Sequence, residues 1–227
     1  MGAKNPGQRT GITTTPRNVF IGPYSVLPGP ITINATYAID GANTNRTDEL
    51  RGGCLMARIN SGLWVPLKLT RVAAGFSGSG TGPGGVSLPV DDARFFKAGD
   101  PITVKRGKVN APETGSGSDL NTVVDAVDYV NNVLTLADPA SDPSLGDPVF
   151  GRNALAGSGI CRGILLNTVR LLSTEPFNTI EYDTVGQIVY AGLVDASQLL
   201  GDLAAVRADT LTHAIKGILF DDDQGKS

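Results

Sequence analysis

Between residues 48 and 67 two short apolar runs meet at one tight turn, and that junction commits this part of the chain to strands. Asn60-Ser61-Gly62 tolerates positive φ, so residues 55–59 and 63–67 are expected to fold back on each other as a hairpin. The same punctuation recurs throughout: 29 Gly and 14 Pro among 227 residues cut the chain into short apolar runs separated by turns. Many short strands follow from this, with little room for long helices. A 41% hydrophobic content argues against wholesale disorder and is enough for a core, in one large β domain or two smaller ones.

Before the hairpin, residues 1–30 are rich in Gly, Pro and Thr, with Phe20 and Tyr24 set among Pro16, Pro23, Pro28 and Pro30. Such a stretch buries too little surface to fold alone, and its prolines favour extended backbone. It reads as an arm that orders on a partner by strand addition, with Phe20 and Tyr24 as anchors; the alternative is a frayed terminus without a role. Residues 31–39 alternate apolar with polar or small residues, the pattern of a half-buried strand. Trp64, the single tryptophan, falls in the second strand of the hairpin, where it serves either core packing or a subunit interface.

Composition changes at residues 75–85, a Gly/Ser-rich stretch that reads as a linker. Beyond it, Ala98-Gly99-Asp100 reads as a turn feeding a strand, and Asn131-Asn132 joins two Val-rich runs, 122–130 and 133–136, as a second hairpin. Leu145-Gly146-Asp147-Pro148-Val149 echoes Ala98-Gly99-Asp100-Pro101-Ile102, so residues 86–150 are expected to form a compact β-barrel-like unit. Strand-like runs resume at 159–172, 179–182 and 187–195. Residues 196–208 are the best helix candidate, capped by Asp195 or Ser197 and limited to one or two turns by Gly201; 216–220 closes the chain as a strand.

A net charge of −3 disfavours a general nucleic-acid binder, which needs a basic face. The charge is unevenly spread. Residues 1–39 hold Lys4, Arg9 and Arg17 and no acid, whereas residues 181–227 hold eight acids against three basic residues, a balance of −5. A basic arm and an acidic end point to docking on a charged partner surface. No apolar run of membrane-spanning length and no signal-peptide pattern is visible, so a soluble protein made in a cytoplasm is expected. Cys54 and Cys161 sit in apolar runs, as two buried thiols or, alternatively, as a disulfide or metal pair.

Catalytic constellations do not stand out. His213 is the one histidine, in a polar setting, without a Gly-x-Ser-x-Gly elbow, and the glycines of 75–85 lack the ending of a phosphate-binding loop. Asp91-Asp92 and Asp221-Asp222-Asp223 offer oxygen ligands but neither has calcium-loop spacing, so both read as solvated charge. No catalytic, metal or cofactor residue is assigned.

The hairpin pattern, a small-residue lead-in, an apolar strand, a polar turn and an aromatic strand with Val65-Pro66, resembles the lambda-type head decoration proteins of tailed bacteriophages. Gly163-Ile164-Leu165-Leu166 is similar to a short strand that follows in that family, and Gly217-Ile218-Leu219-Phe220 to its closing strand. The resemblance covers roughly residues 1–70 and 151–227. It implies a non-enzymatic structural protein of the virion's outer capsid surface, a homotrimer partnered with the major capsid protein at local threefold sites, binding neither nucleic acid nor membrane. On that basis the chain is expected to be mainly β, a decoration-protein-like domain of short strands with one or two short helices. Residues 1–30 form a capsid-binding arm (Arg9, Arg17, Phe20, Tyr24), 31–74 and 151–227 a β-rich body, and 75–150 a Gly-rich linker plus inserted β unit. Deleting 1–30 is then expected to abolish shell binding and leave folding intact. The alternative function is a head-fibre or tail-associated module in which the inserted unit binds host surface glycans.

Overall fold

The computed structural model describes residues 19–44, 49–73, 86–105, 119–137, 143–171, 184–208 and 217–221. Arg9, Arg17, His213, Asp222, Asp223 and the strand expected at 179–182 lie outside them. The chain is mainly β, as expected. Its strands are β1 (Phe20–Val26), β2 (Ile31–Ile33), β3 (Glu49–Leu50), β4 (Leu55–Arg58), β5 (Trp64–Pro66) and β6 (Leu69–Arg71). There follow β7 (Val86–Pro89), β8 (Pro101–Val104), β9 (Leu120–Asp128), β10 (Val133–Leu136) and β11 (Pro148–Gly151). The last are β12 (Cys161–Leu165), β13 (Val169–Arg170), β14 (Thr184–Gly186), β15 (Ile188–Asp195) and β16 (Gly217–Asp221), with the helix α1 (Leu203–Ala208) before β16.

Two sheets carry the fold. The body is eight-stranded, in the order β1-β15-β12-β4-β5-β2-β14, with β16 also pairing parallel to β15. Its seed is the expected hairpin: β4 and β5 pair antiparallel around Gly62 at φ 90°, and Ile59 N–H donates to Leu63 O. Both faces of this sheet carry buried apolar side chains. Leu55, Ala57, Ile59, Val65 and Ile164 join one core cluster, whereas Met56, Trp64, Leu165 and Ile188 join another. The strand expected over 31–39 ends at Ile33. There the Asn34 side chain accepts from Tyr37 N–H and its carbonyl from Ala38 N–H, a turn that asparagine can offer the backbone in place of a ladder.

The second sheet runs β6-β11-β8-β9-β10-β7, antiparallel throughout. Strands β8, β9 and β10 are successive neighbours and β11 returns beside β8, a Greek-key order. Its two edges meet. Val72 bridges Val90, Ala73 N–H donates to Pro89 O, and Asp91 N–H donates to Arg71 O, which closes the sheet into a barrel. Val72, Leu88, Val90, Ile102, Val104, Leu120, Val124, Leu134, Leu136 and Val149 fill its interior. The barrel takes its first strand, β6, from before the Gly-rich stretch and its second, β7, from after it.

The short repeat seen in the sequence is one turn used twice. At Gly99 (φ 90°) the Asp100 carboxylate accepts from Lys97 N–H, and at Gly146 (φ 83°) the Asp147 carboxylate accepts from Ser144 N–H. Each turn delivers a proline that opens a strand, and those strands, β8 and β11, pair with each other. In the other hairpin Asp128 accepts from Val130 and Asn131 N–H, while Asn132 takes φ 52°.

Body and barrel meet at Lys68, between β5 and β6. Its side chain is fully buried, donating to Asp100 Oδ2 at 2.5 Å and to Phe95 O at 2.7 Å. Burial pushes the Lys68 ammonium below its ordinary value, against the pull of Asp100. A second tie is Tyr129, from the β9–β10 turn, whose ring lies where a side chain at Gly41 would be and whose hydroxyl donates to Phe96 O. The helix expected over 196–208 is divided. Ala196–Gln198 is a 3₁₀ turn capped by Asp195, Gly201 takes φ 119°, and α1 starts anew with the Asp202 carboxylate accepting from Ala205 N–H.

Candidate interaction surface

Phe20 and Tyr24, expected as arm residues, lie in β1, a strand of the body itself. Pairing of β1 with β15 is irregular: Phe20 faces Val194 and Tyr24 faces Gly192, so the intervening β1 residues bulge around Pro23, which has no N–H to give a ladder. Gly192, at φ 150°, makes this approach feasible, because a Cβ there would stand 2.9 Å from that of Tyr24. The Phe20 and Tyr24 rings lie 4.8 Å apart, tilted by 40°. Phe20 packs on the core and Tyr24 stacks outside it, so both engage their own sheet.

Around this pair apolar surface is left open. Ile21, Tyr24 and Val26 of β1 are 45%, 47% and 37% exposed, Tyr190 of β15 is 42% exposed and Leu219 of β16 is 67% exposed. Strands β1 and β16 each pair only with β15 among the described residues, and no charged residue occupies β1. Pro23 and the bulge blunt the ladder side of β1, whereas its exposed apolar side chains remain a contact surface for a partner. Sequence reasoning placed Tyr24 in an arm and had no means of knowing that β15, from the far end of the chain, would lie beside it.

Trp64 is buried in the core cluster with Ile33, Met56 and Ile188, opposite Ile33 on β2 and Arg58 on β4, and it also lines an open groove. Cys54 and Cys161 are buried in different clusters and form no disulfide; burial pushes the Cys161 thiol up to about 12.

A second concavity, about 380 Å³, lies between the barrel and α1 and is lined by Asp91, Asp92, Arg94, Tyr129, Asn132 and Asp202. The expectation of solvated charge fails for Asp92, whose side chain is 19% exposed. Thr70 connects the pair: its hydroxyl accepts from Asp92 N–H at 2.9 Å and donates to Asp202 Oδ2 at 3.0 Å. Burial raises both carboxyls above the ordinary range, with Asp91 and Asp92 adding repulsion at Asp202. Asp92 also accepts from Arg94 N–H, so these acids hold a turn and a helix start. Among the described residues no group of three or more His, Cys, Asp or Glu side chains is arranged to hold a metal ion. Asp202 as a cap was readable before the run Leu203-Ala204-Ala205-Val206; its bond to Thr70, across 132 positions, was not.

Compared with known families, characterised proteins and solved structures, the chain gives no match.

Proposed function

We propose that this chain is a structural virion protein that decorates and stabilises the outer surface of a tailed-phage capsid, acting without catalysis or cofactor. The observation that carries the reading is the exposed apolar row of β1 (Ile21, Tyr24 and Val26) at one edge of the body sheet, continuous in sequence with a leading segment that bears Arg9 and Arg17. A strand of the major capsid protein can pack along such an edge, with Ile21, Tyr24 and Val26 supplying the apolar contact. Arg9 and Arg17 add attraction to an acidic shell surface. At a local threefold site, a homotrimer multiplies one modest contact into a tight one.

Deletion to residue 30, the natural choice from the sequence, removes β1 and with it Phe20 from the core. The informative truncation therefore ends at residue 18. Purified protein is co-sedimented with expanded and unexpanded shells that lack it. Saturable binding at a fixed ratio to capsid subunits is expected, weakened on truncation to residue 18 by loss of Arg9 and Arg17 and weakened at least about tenfold by Ile21→Lys with Val26→Lys. Absence of binding to both shell forms rejects the proposal.

The alternative, a recognition module that binds host glycans through the barrel, draws on the projecting apolar residues Val130 and Leu145, which are strongly exposed on two turns. Tyr129 is the aromatic at the first turn, and its hydroxyl and ring are spent on Phe96 and Gly41, which leaves that turn no stacking platform for a sugar. The capsid reading is the better supported.

A further inference from the structure

Four neighbouring strands of the body each send one side chain to the same open groove: Tyr190 from β15, Arg162 from β12, Arg58 from β4 and Trp64 from β5. Leu27 and the β4–β5 turn flank them. The row spans three strand spacings, roughly 14 Å, enough for about four residues of extended chain. Its middle is positive and its ends aromatic.

Neither arginine has a carboxylate partner among the described residues. Arg58 Nε donates to Gly62 O at 3.1 Å, and the described ion pairs involve other groups. The two sit on adjacent strands beside the Ala57–Cys161 pair, where a bulge between Cys161 and Gly163 places Arg162. Like charges so placed cost stability, and an anionic guest reverses that cost. The one run of three consecutive acids in this sequence is Asp221-Asp222-Asp223, whose last two members follow β16.

In its own copy β16 ends away from the groove. Asp221 stands opposite Asp195, whereas the groove begins at Tyr190, five residues back along β15 and so about 17 Å away. We propose that the groove of Arg58 and Arg162 seats the Asp222-Asp223 segment of a second copy of this chain. The contact is heterologous, groove to tail, and closes into a ring when the rotation between copies permits. It rests on the homotrimer in the preceding reading and is independent of shell binding.

The test uses the full chain, free in solution, by mass photometry and sedimentation equilibrium at low and high salt. Self-association is expected to weaken with salt and to fall at least about tenfold in Arg58→Ala with Arg162→Ala, and equally in Asp222→Asn with Asp223→Asn. The tail variant leaves the described fold untouched, so it stays decisive if the arginine variant folds poorly. Mixing the two variants is expected to restore a dimer, because one retains the tail and the other the groove. Association unchanged in the tail variant, a mixture no more associated than its components, or a wild-type chain that stays monomeric at all concentrations overturns the inference. Shell co-sedimentation with the same variants reports separately on the capsid reading.

Discussion

The barrel and the body are both antiparallel in the main, yet one closes and the other does not. In the barrel the Val72–Val90 bridge brings the two outer strands, β6 and β7, together. In the body β1 and β16 lie beside β15 with large apolar side chains exposed, and a row of arginines crosses one face without counterions among the described residues. The exposed apolar strands and the arginine groove thus lie on the open sheet, whereas the barrel exposes apolar side chains at its turns, Val130 and Leu145.

The strongest way to break that pairing of regions is at the ion pair between them. Asp100→Ala leaves Lys68 charged in an apolar site and is expected to cost about 3–5 kcal/mol in denaturant unfolding, whereas Lys68→Met with Asp100→Leu recovers most of the loss. A double variant as unstable as the single one would show that the site needs its charges. Next is Leu134→Ala, which opens a cavity in the barrel for about 2–5 kcal/mol. Trp64 lies in the body, so its fluorescence tells whether the regions melt together; its transition is expected to move with the far-ultraviolet signal, and an unmoved Trp64 transition would make them separate cooperative units.

The smallest effect concerns pH. Asp202 has a folded pKa raised above 3.8, chiefly by burial, so the native state holds its proton more tightly than the unfolded chain. That contribution is complete below 3.8 and is lost as pH rises through the folded value. Asp202→Asn keeps a cap of similar strength and a partner for Thr70, so it is expected to match the wild type within about 0.5 kcal/mol at low pH and to exceed it once Asp202 ionises. Parallel pH profiles of the two proteins would show that Asp202 titrates normally.

Much of the local structure was legible in the residues themselves. Asn60–Gly62 and Asn131-Asn132 marked their hairpins, the Gly-Asp-Pro repeat marked two equivalent turns, and Gly201 restricted the helix, because positive φ and missing N–H groups act within a few bonds. Little of the candidate surface was legible. Phe20 and Tyr24 read as arm residues because nothing near them in sequence supplies a ladder; β15, some 170 positions away, does.

What the sequence by itself determined was the mainly β class, the places where the chain turns, and the opposite charge of its two ends. Only the tertiary structure decided which edges meet and which stay open, that Lys68 is buried on Asp100, and that Arg58 and Arg162 share a groove. Strand pairing and burial depend on segments brought together across long loops, and period-two patterning tells which face of a strand is apolar but not which strand lies beside it.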